Sequence, residues 1–354
     1  MYCRPEVSRK IRYMSFFAAV SVVWLHTNPI GHIDGAVPCL VEVLGTWLSH
    51  FNDWAVPFFF VVSGFFFDRQ CAESFRYGGV LKKKFHSLVI PYLFWGCVWG
   101  GLLWTPLWML TNSRNGLPIF ANTFLAEDSV LCAADFLVGV VCNGPANPVL
   151  WFMRVLIIVF LTAPLWIGLR RLSRWLLAGL ALVGVFVFTP VSVVTPAEKL
   201  FSIYGCPFVL KCQGVAWFGV GMAVSAFRLE ERRIHWSAVF VGWIGWWACW
   251  HLGLIRAFPF FIMLALWGSA DGLFRFLPQE VPAWMCTSFW IYCCHGPVCG
   301  WLGGISRALL GKSVAAYLVQ VSTLWAMTIA FCLALAGLTR RYLPRVYNTL
   351  SGGR

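Results

Sequence analysis

Apolar stretches close to the roughly 20 residues that a helix needs to cross about 30 Å of hydrocarbon recur along the chain, separated by short basic segments. A soluble core cannot absorb so much apolar surface. Of the 354 residues 60% are apolar and 12% charged, against roughly 45–50% and about 25% in soluble domains. Taking the charged interruptions as boundaries gives about ten spans, at 13–31, 53–67, 88–110, 149–168, 175–194, 208–227, 236–253, 256–274, 283–303 and 313–338. The second is short, and the stretch 40–54 before it is amphipathic. Residues 1–30 have the charged-then-apolar look of a signal peptide. They lack a small-residue cleavage site and carry His26 in the apolar run, so they are read as the first span. The expected fold is all-α: a polytopic integral membrane protein of about ten transmembrane helices, one membrane-embedded domain over 1–354 with no fused soluble domain.

The net charge is +13. The basic residues fall between apolar spans rather than along one polar helix, which argues against nucleic acid as a partner and for charge bias between loops. With the N-terminus inside, the inner segments hold Arg4 to Arg12, Arg69 to Lys84, Arg170 to Arg174, Arg228 to Arg233, Arg275 and Arg340 to Arg354, twenty of the 27 Lys and Arg. Both termini are then cytoplasmic. The hydrophilic connection 111–148 falls outside and is a candidate lid or acceptor-binding loop. The fourteen cysteines are scattered, with no C-x-x-C pair. Most, including Cys249, Cys293, Cys294 and Cys332, read as small buried apolar residues. Cys132 and Cys142, in the outer loop, are a candidate bridge. No P-loop, G-x-S-x-G, H-E-x-x-H or acidic metal cluster is present, so no metal is expected.

Ionisable groups inside a membrane are costly, and each one needs a partner or a task. His26 lies in the outer half of the first span. An imidazole there can take a proton from an attacking hydroxyl, and the plainer alternative is a structural histidine bonded to a carbonyl. His295 lies in the ninth span two residues before Pro297, where a kink is expected. Arg154 follows Trp151 by three residues at the start of the fourth span. It either snorkels outward or binds an anion. The run Lys82-Lys83-Lys84-Phe85-His86 can hold the phosphates of a nucleotide-like donor or anionic membrane lipids, although charge bias also explains it. The segments Val62 to Phe65 and Gly219 to Met222 carry the small residues that let helices approach closely.

Taken in order, these segments resemble the membrane-bound acyltransferase family 3 over nearly the whole chain. Phe16 to His26 ends in V-V-x-x-H, and Pro57 to Phe65 is similar to P-x-F-F-x-x-S-G-F. Lys84 to Trp95 contains L-x-x-P-Y-L-x-W after a basic residue. Leu150 to Pro164 follows a W-F-L-R-x-L pattern with a later proline, and Ser288 to Pro297 matches S-F-x-x-Y-x-x-H-x-P. The ending Leu350 to Arg354 looks like the L-x-G-G-R of some members.

This resemblance implies transfer of an acetyl or other short acyl group from acetyl-CoA, a co-substrate reached from the cytoplasm, to a hydroxyl acceptor such as a cell-surface glycan or lipid-linked sugar. It also implies a multi-pass protein, of a bacterial inner membrane. His26 becomes the catalytic candidate, and Lys84, Lys83 and Arg12 become donor-binding candidates. Trp151, Arg154 and His295 would shape the acceptor end. The family usually carries Arg or Lys eleven residues before this histidine, and Ser15 stands there instead. Arg12, one turn lower, is the candidate substitute. Lys84 stands where Arg is common, keeping the charge without the bidentate fork. Two alternatives remain at this stage. A transporter or flippase would share the span count but predicts repeated halves, and none is visible. A non-catalytic CoA-binding sensor derived from the family would accommodate Ser15.

Overall fold

A computed structural model describes residues 4–27, 45–46, 50–71, 74–96, 148–187, 202–203, 206–207, 212–232, 234–254, 257–311 and 313–353. The loop 111–147 and the Cys132/Cys142 pair lie outside the described residues, as do most of 40–54 and the second half of the third expected span. The described chain is almost wholly helical. The exception is a two-residue antiparallel pair, with Ser202 opposite Pro207 and Ile203 opposite Cys206.

Helix α1 (Pro5–Thr27) is the central post. Its upper part buries Tyr13, Met14, Phe16, Ala18, Ala19, Val22 and Val23 against three neighbours. These are α2 (Ala55–Cys71), α11 (Ser288–Leu310) and α12 (Val314–Tyr342). The Trp325 indole on α12 donates to the Val20 carbonyl at 3.2 Å and fixes that packing. Around them run α3 (Tyr77–Lys84), α4 (Ile90–Leu93), α5 (Trp151–Leu161), α6 (Ala163–Leu172) and α7 (Arg174–Val187). Then follow α8 (Cys212–Ala226), α9 (Trp236–His251) and α10 (Phe258–Leu273), with a short α13 (Pro344–Leu350) at the end.

The two small-residue segments pack on each other. Helices α2 and α8 approach so closely that a methyl group on Gly64 would overlap the Phe218 carbonyl, and one on Gly221 would overlap the Val61 carbonyl. Backbone-to-backbone contact of this kind supplies the dispersion and weak polar interactions that hold helices together where burial from water does not.

By length and composition, α12 is the one described helix that can cross a membrane alone; α5 and α6, bent by 63°, would make a second if they are one span. The physical reason is plain. The helices α2, α8, α9 and α10 run 15–17 residues, or about 25 Å at 1.5 Å per residue, under the roughly 30 Å of a hydrocarbon core. The 23 residues of α1 include Glu6, Arg9, Lys10 and Arg12. The α5–α6 break falls at Thr162, whose hydroxyl donates back to the Ile158 and Val159 carbonyls at 3.2 and 3.1 Å, with Pro164 unable to continue the ladder. Pro297, in contrast, sits inside an unbroken α11. The outward faces are apolar: Trp175, Leu180, Phe240, Ile244, Trp247, Leu318 and Phe331 are all exposed.

The expected inner segments meet at one end of the bundle. Arg4 pairs with Glu231 at 3.4 Å, and Arg69 with Glu230 and Glu231. The buried Asp68 accepts from Arg170 at 3.1 Å and from the Ser225 hydroxyl at 2.7 Å. Lys10 is lowered by burial, an effect offset by Asp271 at 2.6 Å, and its ammonium lies 4.3 Å from the Trp267 ring. Six described cysteines, Cys71, Cys249, Cys293, Cys294, Cys299 and Cys332, are buried free thiols as the sequence suggests, while Cys286 is exposed.

Candidate active site

At that end of the bundle, α1, α2, α3, α5 and α11 enclose a cavity of about 690 Å³. Helix α1 contributes Ser8, Ile11, Arg12 and Ser15, at the spacing of one helical face. The basic run contributes Lys83 and Lys84. Arg12 and, more than seventy positions later in sequence, Lys83 and Lys84 thus line one space. No acidic residue is among its described lining, so the cavity carries net positive charge. Lys84 Nζ lies 4.1 Å from the Phe160 ring centre, which holds the ammonium in place. Burial pushes the nearby Cys71 thiol up, and the charge of Lys84 acts against that rise. Ser15 lines the cavity without a charge, and Arg12 supplies one a turn below.

A local irregularity follows the three lysines of the basic run. After α3 the chain forms a π-helix over Phe85–Val89 before α4 resumes. Such a widened turn shifts the following side chains around the axis, and π-turns recur at functional sites.

The two histidines are in ring contact, one buried and one exposed. The rings of His26 on α1 and His295 on α11 have centres 5.2 Å apart and are tilted by 48°. His295 is fully buried and its Nδ1 lies 2.8 Å from the Tyr292 carbonyl and 3.1 Å from the Ile291 carbonyl. A carbonyl only accepts, so Nδ1 carries the hydrogen and Nε2 presents a lone pair. That Nε2 has no hydrogen-bond partner among the described residues. His26 is the more exposed member.

Tyr292 links the two features. It lines the cationic cavity, its ring lies 6.2 Å from that of His295, and its hydroxyl donates to the Val149 carbonyl. Tyr292 is the tyrosine of the S-F-x-x-Y-x-x-H-x-P segment and has no role implied by it. Its signal was the spacing Ser288, Tyr292, His295, which puts all three on one helix face. Trp151 and Arg154 do not line the cavity. Their helix faces it through Phe152, Leu156 and Phe160, while the Trp151 ring lies 5.9 Å from Phe60. Arg154 is 5% exposed, buried in the bundle rather than reaching outward. Among the described residues no group of three or more His, Cys, Asp or Glu is placed to hold a metal.

The helical scaffold brings a cation-lined cavity close to a buried His295 whose ring lies against that of the exposed His26. The chain belongs to the acyltransferase family whose model, described as an acyltransferase domain, matches residues 9–339. It is therefore an acyltransferase. It is also similar to the succinoglycan biosynthesis protein ExoH of Rhizobium meliloti (strain 1021), at 23% identity over 373 residues, covering 99% of this chain and 93% of that protein. No solved structure matches the chain. The transporter alternative gains nothing from these comparisons.

Proposed function

We propose that the protein is a multi-pass membrane O-acyltransferase that moves an acetyl or other short acyl group from a CoA thioester to a hydroxyl of a cell-surface or lipid-linked glycan. The observation that carries this reading is the convergence of Arg12, Lys83 and Lys84 on one acid-free cavity beside Tyr292, with His26 and His295 in ring contact. His26 lies eleven residues after Ser15 on α1, about 16 Å along the axis and within roughly 20° of the same face. A long thin thioester arm suits that gap better than a compact donor.

In this mechanism the cations bind the phosphates. His26 takes the proton from the acceptor hydroxyl as its oxygen attacks the thioester carbonyl. The carbon–sulfur bond then breaks, the acyl group stays on the acceptor, and the CoA sulfur leaves as a thiolate that picks up a proton. A glycan acceptor is supported by the likeness to a protein of polysaccharide biosynthesis. A lipid setting is supported by the exposed Trp, Phe, Leu and Ile side chains along α7, α9 and α12, a surface that water does not favour. The gathering of the basic segments at one end supports a cytoplasmic position for both termini and for the donor cavity.

The test is label transfer. Membranes holding the full chain are incubated with labelled acetyl-CoA, propionyl-CoA or succinyl-CoA, then separated into polysaccharide, lipid-linked glycan and lipid fractions. Label in a glycan fraction above that of membranes lacking the protein supports the reading. Label confined to protein-independent background with every donor overturns it.

A further inference from the structure

A second cavity, of about 640 Å³, adjoins the first and shares Lys83 with it. One wall is the turn of α3 and the π-helix, carrying Lys82, Lys83, His86 and Ser87; the other is the C-terminal tail, carrying Asn348 and Thr349. The tail lies beyond residues 9–339, the part of the chain matched by the acyltransferase family.

This tail is built into the protein. Trp95 Nε1 donates to the Leu350 carbonyl at 3.2 Å, and the Tyr347 ring stacks on Trp290 at 5.1 Å. Trp290 belongs to α11, the helix of Tyr292 and His295. Gly352 and Gly353 then take φ values of +71° and +70°, the left-handed region open to glycine. A Cβ on Gly352 would come within 2.5 Å of the Ser87 carbonyl oxygen, so the tail closes directly on the π-helix. The resulting pocket holds two lysines and a histidine with no acidic residue in its described lining, beside Asn348. Lys82, Lys83 and His86 are exposed, as the entrance for a soluble anion requires.

We propose that this pocket between the C-terminal turn and the Lys82 to Ser87 turn binds the 3′-phosphorylated adenosine end of a CoA thioester, whose pantetheine arm passes Lys83 into the first cavity. The inference rests on the CoA-dependent reading above and assigns its nucleotide end. A CoA molecule carries a diphosphate and a separate ribose phosphate, which need cations at more than one place. The two cavities provide cations in two groups, Lys82 in one, with the His86 imidazole as a further hydrogen-bonding group, and Arg12 and Lys84 in the other, with Lys83 lining both. An anionic lipid headgroup has the same phosphate chemistry but no purine or ribose phosphate.

The experiment measures equilibrium binding of CoA, dephospho-CoA and adenosine 3′,5′-bisphosphate to the full chain in discs of neutral phosphatidylcholine. It uses the natural protein, the double variant Lys82→Ala/His86→Ala, and Lys82→Arg/His86→Arg. Loss of charge-assisted contacts to one phosphate should weaken CoA and the bisphosphate by about tenfold or more. Dephospho-CoA should change much less, and the Arg pair should restore binding. CoA binding that is equal in the natural and Ala forms overturns the proposal while leaving the acyl-CoA reading intact. No CoA binding by the natural protein removes both. Loss of phosphatidylglycerol vesicle binding in the Ala form, with CoA binding unchanged, makes the pocket a lipid headgroup site and also overturns it.

Discussion

Among the described residues the Nε2 of His295 is buried and has no hydrogen-bond partner while its Nδ1 donates to the Tyr292 carbonyl at 2.8 Å, so these two residues on one helix fix Nε2 as the nitrogen that keeps its lone pair. A histidine kept only for packing would have no need of a buried lone pair left unpaired, which costs about 1–3 kcal/mol.

That geometry separates two substitutions. His295→Asn retains a donor near the Nδ1 position and should keep the fold, yet remove the Nε2 lone pair. Acyl transfer is expected to fall at least about a hundredfold with little change in thermal stability in detergent. Full activity in the Asn variant would reduce His295 to a structural donor.

Donor affinity should depend on the cations that converge in the first cavity. Arg12→Gln and Lys84→Gln are each expected to raise the KM for acyl-CoA by about tenfold. Ser15 faces the same cavity without charge. Introducing Ser15→Arg in the Arg12→Gln background should recover most of the lost affinity, as read from initial rates across donor concentrations. An unchanged KM in both single variants would place the donor elsewhere.

The α2–α8 contact leaves no room for a side chain. Gly221→Ala would drive a methyl group into the Val61 carbonyl and should destabilise the protein by about 1–3 kcal/mol. The expected readout is a lower Tm and a smaller monodisperse fraction after detergent extraction. Gly179→Ala, with open space around the added methyl, is the control that should show neither.

Local patterns carried the scaffold and half of the site. Apolar runs located the long helices but not α3 in the basic segment or α13 in the tail, and the glycine-bearing segments announced a close approach without saying that they approach each other. Arg12 was set beside Lys84 by the family resemblance, and helix periodicity added only that Arg12 lies a turn below Ser15. The π-helix at Phe85 was invisible, since its widened turn arises from packing rather than composition. Trp151 and Arg154 were assigned to the acceptor end by the family resemblance, and the phase of α5 turns Phe152, Leu156 and Phe160 toward the donor cavity. The docking of Gly352 on Ser87 and the His26–His295 contact join segments far apart in the chain, which no single-sequence periodicity encodes. Helix lengths also temper the ten-span expectation, because four of the described helices run only 15–17 residues.

The most direct measurement of the central claim compares natural protein with His26→Ala at matched membrane levels, following acyl label from CoA thioester into glycan. His26 is exposed on its helix, so its loss should leave the fold intact. The account predicts a loss of about a hundred- to ten-thousandfold in transfer with CoA binding preserved. Transfer by the Ala variant at the natural rate would contradict it, because no other residue is assigned to take the acceptor proton.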